Sequence, residues 1–367
     1  MTPEDNLTDN SPAKEPNVSG GNLGSDIDLS EVNAEASLNE SSQSESIPSD
    51  ITSITKKALA IKEEIHKVLV GQDEIVEQIL IALFAAGHVL VEGVPGLGKT
   101  LMVRALAQTF SGKHGRIQFT PDLMPADVTG HAIYDMKSEQ FKIRKGPVFT
   151  NILLADEINR APAKTQAALL EVMQEFQVTI EGNSFSMSKP FVVLATQNPV
   201  EQEGTYPLPE AQVDRFLLKV NMSYPTDEEE RQLVASITSN SLASTLDVDE
   251  IQSIASQEDI LEIQNAVAAV LVDERAVEYA VNIVRATRDW GGIYLGAGPR
   301  GSISLIRAAK SYAMLNGRDF VTPDDIKYVA LPVLRHRVAL TADFEIEGYT
   351  VDNVLNSIIQ KTPAPRD

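Results

Sequence analysis

HVLVEGVPGLGKTLMVRALAQTF, residues 88–110, joins a short apolar run to a helical pattern through a loop that contains three glycines. The run His88–Glu92 predicts a strand, and Thr100–Phe110 predicts a helix. The loop between them, GVPGLGKT at 93–100, matches the pattern GxxxxGK[ST]. Glycines there let successive backbone N–H groups surround phosphate oxygens at the N-terminus of the helix. A glycine-rich turn is the alternative, but strand, loop and helix in this order favour a nucleotide phosphate site.

The ligand predicted for this loop is ATP with Mg²⁺. Lys99 would reach the β- and γ-phosphates, and the Thr100 hydroxyl would coordinate the metal. All eight residues of the loop are predicted to contact the ligand: Gly93, Val94, Pro95, Gly96, Leu97, Gly98, Lys99 and Thr100.

After the loop, short apolar runs alternate with helical patterns. Several runs are nearly continuous, as is typical of strands buried on both faces of a parallel sheet. The alternation predicts an α/β fold, a parallel sheet sandwiched by helices. The further predicted strands are Arg116–Thr120, Ile152–Ala155, Phe191–Thr196 and Phe216–Val220, with helices at Ala126–Thr129 and Ala163–Glu175.

From Pro225 onward the strand pattern stops and only helices are predicted. The helices are Glu228–Thr238, Leu261–Leu271, Glu274–Arg288, Ser302–Asn316 and Thr322–Leu334, the last with a Thr-Pro-Asp-Asp start signal. We therefore divide the sequence into a leader (1–50), an α/β nucleotide-binding domain (51–225) and a helical domain (226–367).

The leader contains no aromatic residue and carries eleven acids against one lysine, about half of the net charge of −21. Such a segment cannot bury enough apolar area to offset the entropy of ordering, so we predict that it is disordered. Order is predicted from Ile51, because apolar residues up to Val68 recur at helical spacing.

The composition also bears on the compartment. The chain has no cysteine, which excludes disulfides and thiolate metal sites. It has no apolar run long enough to span a bilayer and no secretory leader at its N-terminus. The cytoplasm is therefore the expected location.

Two acids, Asp156 and Glu157, directly follow the predicted strand Ile152–Ala155. The carboxyl ends of parallel strands form the edge where α/β sheets bind ligands. Asp156 is thus predicted to hold the Mg²⁺ shell, and Glu157 to polarise the attacking water. Asn198 follows the next strand and could orient that water. An acidic pair can also simply begin a loop, and Asn-Pro is by itself a turn signal.

Two arginines are further candidates. Arg215 precedes the strand Phe216–Val220, and Arg300 lies at the start of the helix Ser302–Asn316. A cation is unfavourable at a helix N-terminus, so Arg300 there suggests an external anion. On spacing alone, Arg215 would more often be a salt-bridged surface residue, and Arg300 could equally be a solvated loop residue.

Six blocks in this order resemble the MoxR family of AAA+ ATPases, which is similar to the ATPase subunit of magnesium chelatase. The resemblance covers the chain from about residue 55 to its end. The blocks are the phosphate loop, LLADEINRAP (153–162), LATQNP (194–199), LPEAQVDRF (208–216), GAGPRGSISLIRAAK (296–310) and VTPDDIKYVALPVLRHR (321–337).

The resemblance implies roles for five residues. Asn198 would be sensor 1, and Arg215 would be an arginine finger that acts on the γ-phosphate of a neighbouring subunit. Arg300 would be sensor 2, which couples the helical lid to the nucleotide. Gly71 and Gln72 sit where the family contacts the adenine.

The resemblance also implies two insertions. A helix-2 insert is expected within Thr120–Thr150, and the pattern FQVTIEGNSFSMS at Phe176–Ser188 predicts a β-hairpin ahead of sensor 1.

The predicted function is therefore ATP hydrolysis in a homo-oligomeric ring, most simply a hexamer, that acts as a chaperone-like remodeller of partner proteins. Proteins with von Willebrand factor A domains are the partners that the resemblance implies. The alternatives are a nucleic-acid motor and a nucleotide-dependent scaffold. The insert contains a basic cluster, Lys137, Lys142, Arg144 and Lys145, which could line a nucleic-acid pore or form a solvated hairpin face. The negative net charge argues against nucleic acid, and the full set of candidate catalytic residues argues against a scaffold.

Overall fold

The computed structural model describes residues 50–69, 71–93, 96–137, 139–198, 204–240, 248 and 250–365. Predictions for the leader up to residue 49, and for Val94 and Pro95 of the phosphate loop, lie outside the described residues.

Strands and helices are numbered in chain order. The strands are β1 (Val89–Gly93), β2 (His114–Gln118), β3 (Gly130–Asp135), β4 (Gln140–Lys145), β5 (Ile152–Asp156), β6 (Gln177–Ile180), β7 (Asn183–Ser186), β8 (Val192–Gln197), β9 (Leu218–Met222), β10 (Ile293–Leu295) and β11 (Ala339–Leu340). The helices are α1 (Asp50–His66), α2 (Asp73–Phe84), α3 (Lys99–Thr109), α4 (Pro125–Thr129), α5 (Ala163–Glu175), α6 (Glu210–Val213), α7 (Asp227–Asn240), α8 (Gln257–Ala269), α9 (Glu274–Asp289), α10 (Pro299–Leu315), α11 (Pro323–Leu334), α12 (Ala342–Ile346) and α13 (Val351–Lys361).

Five strands form one parallel sheet in the order β2-β5-β8-β1-β9. Its central strands are buried on both faces, because alternate residues join two different apolar clusters. Val89 and Val91 of β1 pack in the cluster that contains α2 and α3, whereas Leu90 packs in the cluster that contains α5. The predicted α/β fold, a parallel sheet between helices, is thereby confirmed.

The predicted strands are all present, but four of the five start one or two residues away from the predicted position. β2 starts two residues before the predicted Arg116, and β9 starts two residues after the predicted Phe216. Phe216 and Leu217 are buried although they precede the strand. Apolar runs therefore report burial, whereas strand ends depend on where the neighbouring strand offers hydrogen bonds.

The N-terminal helices pack under the same sheet. The predicted helical stripe of α1 is confirmed, since Ala58, Ile61 and Ile65 are buried. The sequence did not predict α2, because nearly all of its residues after Ile75 are buried and no polar stripe marks a helical period.

Both predicted insertions are confirmed. The insert after β2 contains α4 and the hairpin β3–β4. The two strands approach closely at the base of the hairpin, where a Cβ at Gly130 would lie 2.3 Å from the Arg144 carbonyl oxygen. The second hairpin, β6–β7, turns at Glu181 and Gly182, whose φ angles of 48° and 77° suit a two-residue turn.

The helices after residue 225 pack against each other and against α2 and β9. The predicted start signal at Thr322 is a capping box, in which the Thr322 hydroxyl accepts from the Asp325 N–H and the Asp325 carboxylate accepts from the Thr322 N–H. Residues on both sides of 225 share one apolar cluster, so the division there stays an interpretation. In the described ranges, no helix combines the length and apolarity needed to cross a bilayer.

Candidate functional site

The phosphate loop leaves β1 at Gly93 and reaches α3 at Lys99. Gly96 and Gly98 have φ of +91° and +79°, a left-handed conformation that favours glycine. A Cβ at either position would meet no atom within 4 Å, so the loop faces open space. The loop therefore combines backbone N–H groups, a helix N-terminus and room for a ligand, as a phosphate site requires.

Lys99 projects over this loop from the first turn of α3. Its Nζ donates a hydrogen bond of 2.7 Å to the Gly93 carbonyl oxygen. Burial lowers the pKa of the Lys99 ammonium, and the carboxylates of Asp156 and Glu157 oppose that shift. A phosphate group would add negative charge at the same place and would further favour the charged amine.

One hydroxyl from the neighbouring strand contacts both predicted acidic residues, through the backbone of Glu157 and the carboxylate of Asp156. The Glu157 N–H donates to Thr196 Oγ1 at 2.8 Å, and Thr196 Oγ1 donates to Asp156 Oδ1 at 2.7 Å. Thr196 is buried on β8, and Glu157 takes a left-handed φ of 57°. The end of β5 is thus a fixed turn that presents two carboxylates side by side.

Polar residues of β2, which sequence reasoning did not single out, complete this group. Arg116 Nη2 lies 2.7 Å from Asp156 Oδ2, and Gln118 Nε2 donates to Glu157 Oε2 at 2.8 Å. Arg160 Nε, in the turn after β5, lies 3.3 Å from Glu157 Oε2. In the sequence, Arg116 and Gln118 are marked only by their alternate spacing on one predicted strand. This spacing becomes informative once β2 is known to pair with β5.

These side chains surround a cavity of about 280 Å³ at the carboxyl edge of the sheet, here named the phosphate cavity. The structure brings most of the predicted site residues together there: Gly93, Gly96, Gly98, Lys99, Thr100, Asp156, Glu157 and Asn198.

Three other described residues of the predicted site do not line the phosphate cavity. Leu97 is buried, and its carbonyl oxygen accepts a hydrogen bond of 3.1 Å from Gln72 Nε2. Gly71, beside it, has φ +73° and abuts the Glu229 side chain, which a Cβ would overlap. The structure therefore places Gln72 against the phosphate loop and Gly71 against Glu229, and their contact with adenine stays a prediction.

The structure does not bring Arg215 and Arg300 to the phosphate cavity. Both line a separate cavity of about 320 Å³, here named the arginine cavity. Arg215 Nη1 donates to the Leu170 carbonyl oxygen at 3.0 Å, and Arg300 Nη1 lies 3.7 Å from Asp214 Oδ2. The Arg300 side chain is 57% exposed, so most of it faces solvent at the start of α10.

The residues at the phosphate cavity fit a magnesium ion by the chemistry of their donors. The Thr100 hydroxyl and the Asp156 carboxylate are hard oxygen ligands in one cavity. Within the described ranges, no group of three or more His, Cys, Asp or Glu side chains could hold a metal by itself. That donor set suits Mg²⁺, which takes few protein ligands and binds largely through phosphate oxygens and water.

Comparison with known proteins agrees with this geometry. Residues 88–218 match the model of the ATPase family associated with various cellular activities (AAA), and residues 285–358 match an AAA lid domain. Chaperone MoxR1 of Mycobacterium tuberculosis is 46% identical over 83% of this chain and 81% of its own length. The uncharacterised protein YeaC of Bacillus subtilis is 48% identical over 83% of this chain and 93% of its own.

A solved structure supports the same assignment. The crystal structure of a candidate ATPase from Cytophaga hutchinsonii is 44% identical, with a TM-score of 0.80 over 86% of this chain and 98% of that one. With a phosphate loop, two acids at a strand end, a lid and relatives of this similarity, the chain belongs to the MoxR family of AAA+ ATPases.

Proposed function

We propose that the chain hydrolyses ATP with Mg²⁺ at the phosphate cavity. The observation that carries this proposal is the placement of Lys99, Asp156 and Glu157 around one cavity at the carboxyl edge of the sheet. Lys99 would neutralise the β- and γ-phosphates, and Glu157 would accept a proton from the attacking water, which Asn198 would orient.

Thr100 and Asp156 would hold the metal. When bound, Mg²⁺ supplies positive charge that offsets the charge developing on the phosphates. Thr196 fixes the backbone of Glu157 and the carboxylate of Asp156, and the Glu157 carboxylate contacts Gln118 and Arg160 through Oε2.

Replacing Glu157 with Gln tests this site. The amide keeps the shape and the hydrogen-bond acceptor but cannot take a proton, so we expect unchanged ATP affinity and turnover lower by about 10²–10⁴-fold. The measurements are phosphate release and binding of a fluorescent ATP analogue. Glu262→Gln, an exposed change on α8, is the matched control. Wild-type turnover in Glu157→Gln would exclude Glu157 as the base.

We further propose that several copies form a ring, in which the arginine cavity of one subunit faces the nucleotide of the next. The support is that Arg215 and Arg300 lie together but away from the phosphate cavity of their own chain. An arginine supplied by a neighbour typically contributes about 10³–10⁵ in rate. A hexamer is the ring that we propose.

The proposed work of the ring is chaperone-like remodelling of partner proteins, and its support is that the Mycobacterium relative is named Chaperone MoxR1. Proteins with von Willebrand factor A domains are the partners that we propose, and the cytoplasm is the proposed compartment. The basic residues of the insert give little support to a nucleic-acid motor. Lys142 pairs with Asp135 on the same hairpin, and Lys145 lies 4.8 Å from the Phe149 ring centroid.

Addition of DNA tests whether the chain is a protein remodeller or a nucleic-acid motor. A remodeller should hydrolyse ATP at the same rate with or without single-stranded or duplex DNA. Strong stimulation by DNA that falls steeply with salt would favour the motor instead.

A further inference from the structure

Arg116 is a cation of the phosphate cavity to which neither the family resemblance nor the proposed mechanism gives a role. It lies on β2, an edge strand of the sheet. Its Nη2 contacts Asp156 Oδ2 at 2.7 Å, while Asp156 Oδ1 accepts from Thr196 at 2.7 Å. Both oxygens of the proposed metal ligand are therefore engaged, one of them by a guanidinium.

We propose that Arg116 and Mg²⁺ compete for the Asp156 carboxylate, so that Arg116 stands in for the metal when the metal is absent. This inference rests on the proposed Mg²⁺-dependent nucleotide site. Two cations cannot share one carboxylate oxygen at close range without strong repulsion. Arrival of Mg²⁺ therefore displaces the guanidinium from Asp156 Oδ2.

The surroundings of Arg116 allow this displacement. Its side chain is 52% exposed, and ion pairs of that exposure are weak. A second acceptor is already in place, because Arg116 Nη2 also donates to Gln118 Oε1 at 2.9 Å. The guanidinium can leave the carboxylate and still keep a hydrogen bond at the cavity wall.

The same position gives Arg116 a role toward the nucleotide. Without metal, the phosphates would meet only the cations of the protein, and Lys99 and Arg116 both line the cavity. Arg116 should therefore support metal-free binding of ATP while opposing the binding of Mg²⁺ to Asp156. Arg116 would thus strengthen metal-free ATP binding but weaken Mg²⁺ binding. An ordinary phosphate contact would instead strengthen ATP binding with and without the metal.

The test uses the full chain and a fluorescent, non-hydrolysable ATP analogue. Its dissociation constant is measured with EDTA and with saturating Mg²⁺, and Mg²⁺ is titrated at fixed analogue. In Arg116→Gln we expect the ratio of the two constants, metal-free over metal-bound, to rise by about tenfold, since a charged hydrogen bond is lost only from the metal-free state. The midpoint of the Mg²⁺ titration should fall several-fold.

Two variants complete the test. Arg116→Lys keeps the charge and should stay near the wild-type ratio. Arg144→Gln removes the same charge from β4, outside the phosphate cavity, and should leave the ratio unchanged. Thermal melting without ligand checks that each variant is folded.

The outcomes are distinct. Equal weakening of both constants in Arg116→Gln would make Arg116 a simple phosphate contact and would overturn the competition. An unchanged ratio of the two constants and an unchanged Mg²⁺ midpoint would show that Arg116 and Asp156 form only a surface ion pair. This result would also overturn the competition. Failure of the wild-type chain to bind the analogue with Mg²⁺ would instead overturn the proposed function.

Discussion

Thr196 carries a single buried hydroxyl that contacts both acidic residues of the site. It accepts from the Glu157 N–H and donates to Asp156 Oδ1. Thr196→Val keeps the shape but removes both bonds, which costs about 1–3 kcal/mol of unfolding free energy. We expect turnover to fall by about 10–100-fold with ATP binding nearly retained, because misplacement of a base mainly affects the chemical step.

Thr196→Ser is the control, since it keeps the hydroxyl. Steady-state kinetics, analogue binding and urea unfolding measure the three quantities. Equal activity of the Val and Ser variants would show that the hydroxyl does not position Glu157.

His88 makes the stability of the protein depend on pH. It is buried just before β1, between β8 and α5, where Nδ1 accepts from the Val193 N–H and Nε2–H donates to the Met173 carbonyl oxygen. Burial lowers its pKa from 6.5 to about 4. At His88 the unfolded chain then binds a proton that the folded chain does not, so the contribution of His88 to stability is complete above pH 6.5 and is lost as the pH drops toward 4.

His88 should contribute about 3 kcal/mol to that loss by pH 4. The measurement is the unfolding free energy in urea between pH 7 and 4. His88→Gln should be less stable at pH 7 but should lose less stability on acidification. His131→Asn, at an exposed position, should keep the wild-type slope. Identical slopes in the wild type and His88→Gln would contradict the assignment.

At the scale of elements, the segment after α11 joins the lid helices to the turn that carries Arg215. The Arg337 side chain is 2% exposed. Its Nε donates to Asp214 Oδ1 at 2.8 Å, and its Nη2 donates to the Phe216 carbonyl oxygen at 2.6 Å and to Ser304 Oγ of α10 at 3.2 Å. The other oxygen of Asp214 lies near Arg300. Lid and arginine cavity are therefore one hydrogen-bonded unit.

Arg337→Met keeps the volume but leaves Asp214 and the carbonyl oxygens without their donor. We expect a loss of about 3 kcal/mol or more in unfolding free energy. Lys327→Met, which breaks an exposed ion pair with Asp324 on the same helix, should cost less than about 1 kcal/mol. Equal costs in urea unfolding would mean that the buried Arg337 contacts do not hold the lid.

The elements also show what the sequence could and could not predict. Asp156, Glu157 and Asn198 were predictable as a group, because the carboxyl ends of parallel strands meet at one edge. Arg116 was not, since its place beside Asp156 follows from β2 being the neighbour of β5. That order is set by packing over the whole sheet, and no local pattern encodes it.

Among the elements that were not predicted, the reasons differ. β10 and β11 have three and two residues, too few for any period. α13 does carry a signal, a capping box between Thr350 and Asn353 followed by the buried Val354, Leu355 and Ile358.

For the whole molecule, the proposed ring predicts that activity depends on the neighbouring subunit, because the two arginines do not line the phosphate cavity of their own chain. Subunits with Lys99→Ala lose the phosphate site but keep Arg215, and subunits with Arg215→Ala have the reverse defect. Each is expected to be nearly inactive alone. In random mixed rings at equal ratio, about one quarter of the interfaces would pair an intact phosphate loop with an intact Arg215. We therefore expect recovery of up to about a quarter of wild-type ATPase activity.

The same experiment assigns Arg300. If Arg300 acts from the arginine cavity on the neighbour's nucleotide, Lys99→Ala subunits should rescue Arg300→Ala subunits. Arg215→Ala subunits should not rescue them, because Arg215 and Arg300 then serve the same subunit interface. Rescue by Arg215→Ala would instead place Arg300 at the nucleotide of its own chain, which would require the lid to move away from Asp214. Absence of recovery in every mixture, across all ratios, would contradict a site shared between subunits, since the arginines of one chain would then never serve another.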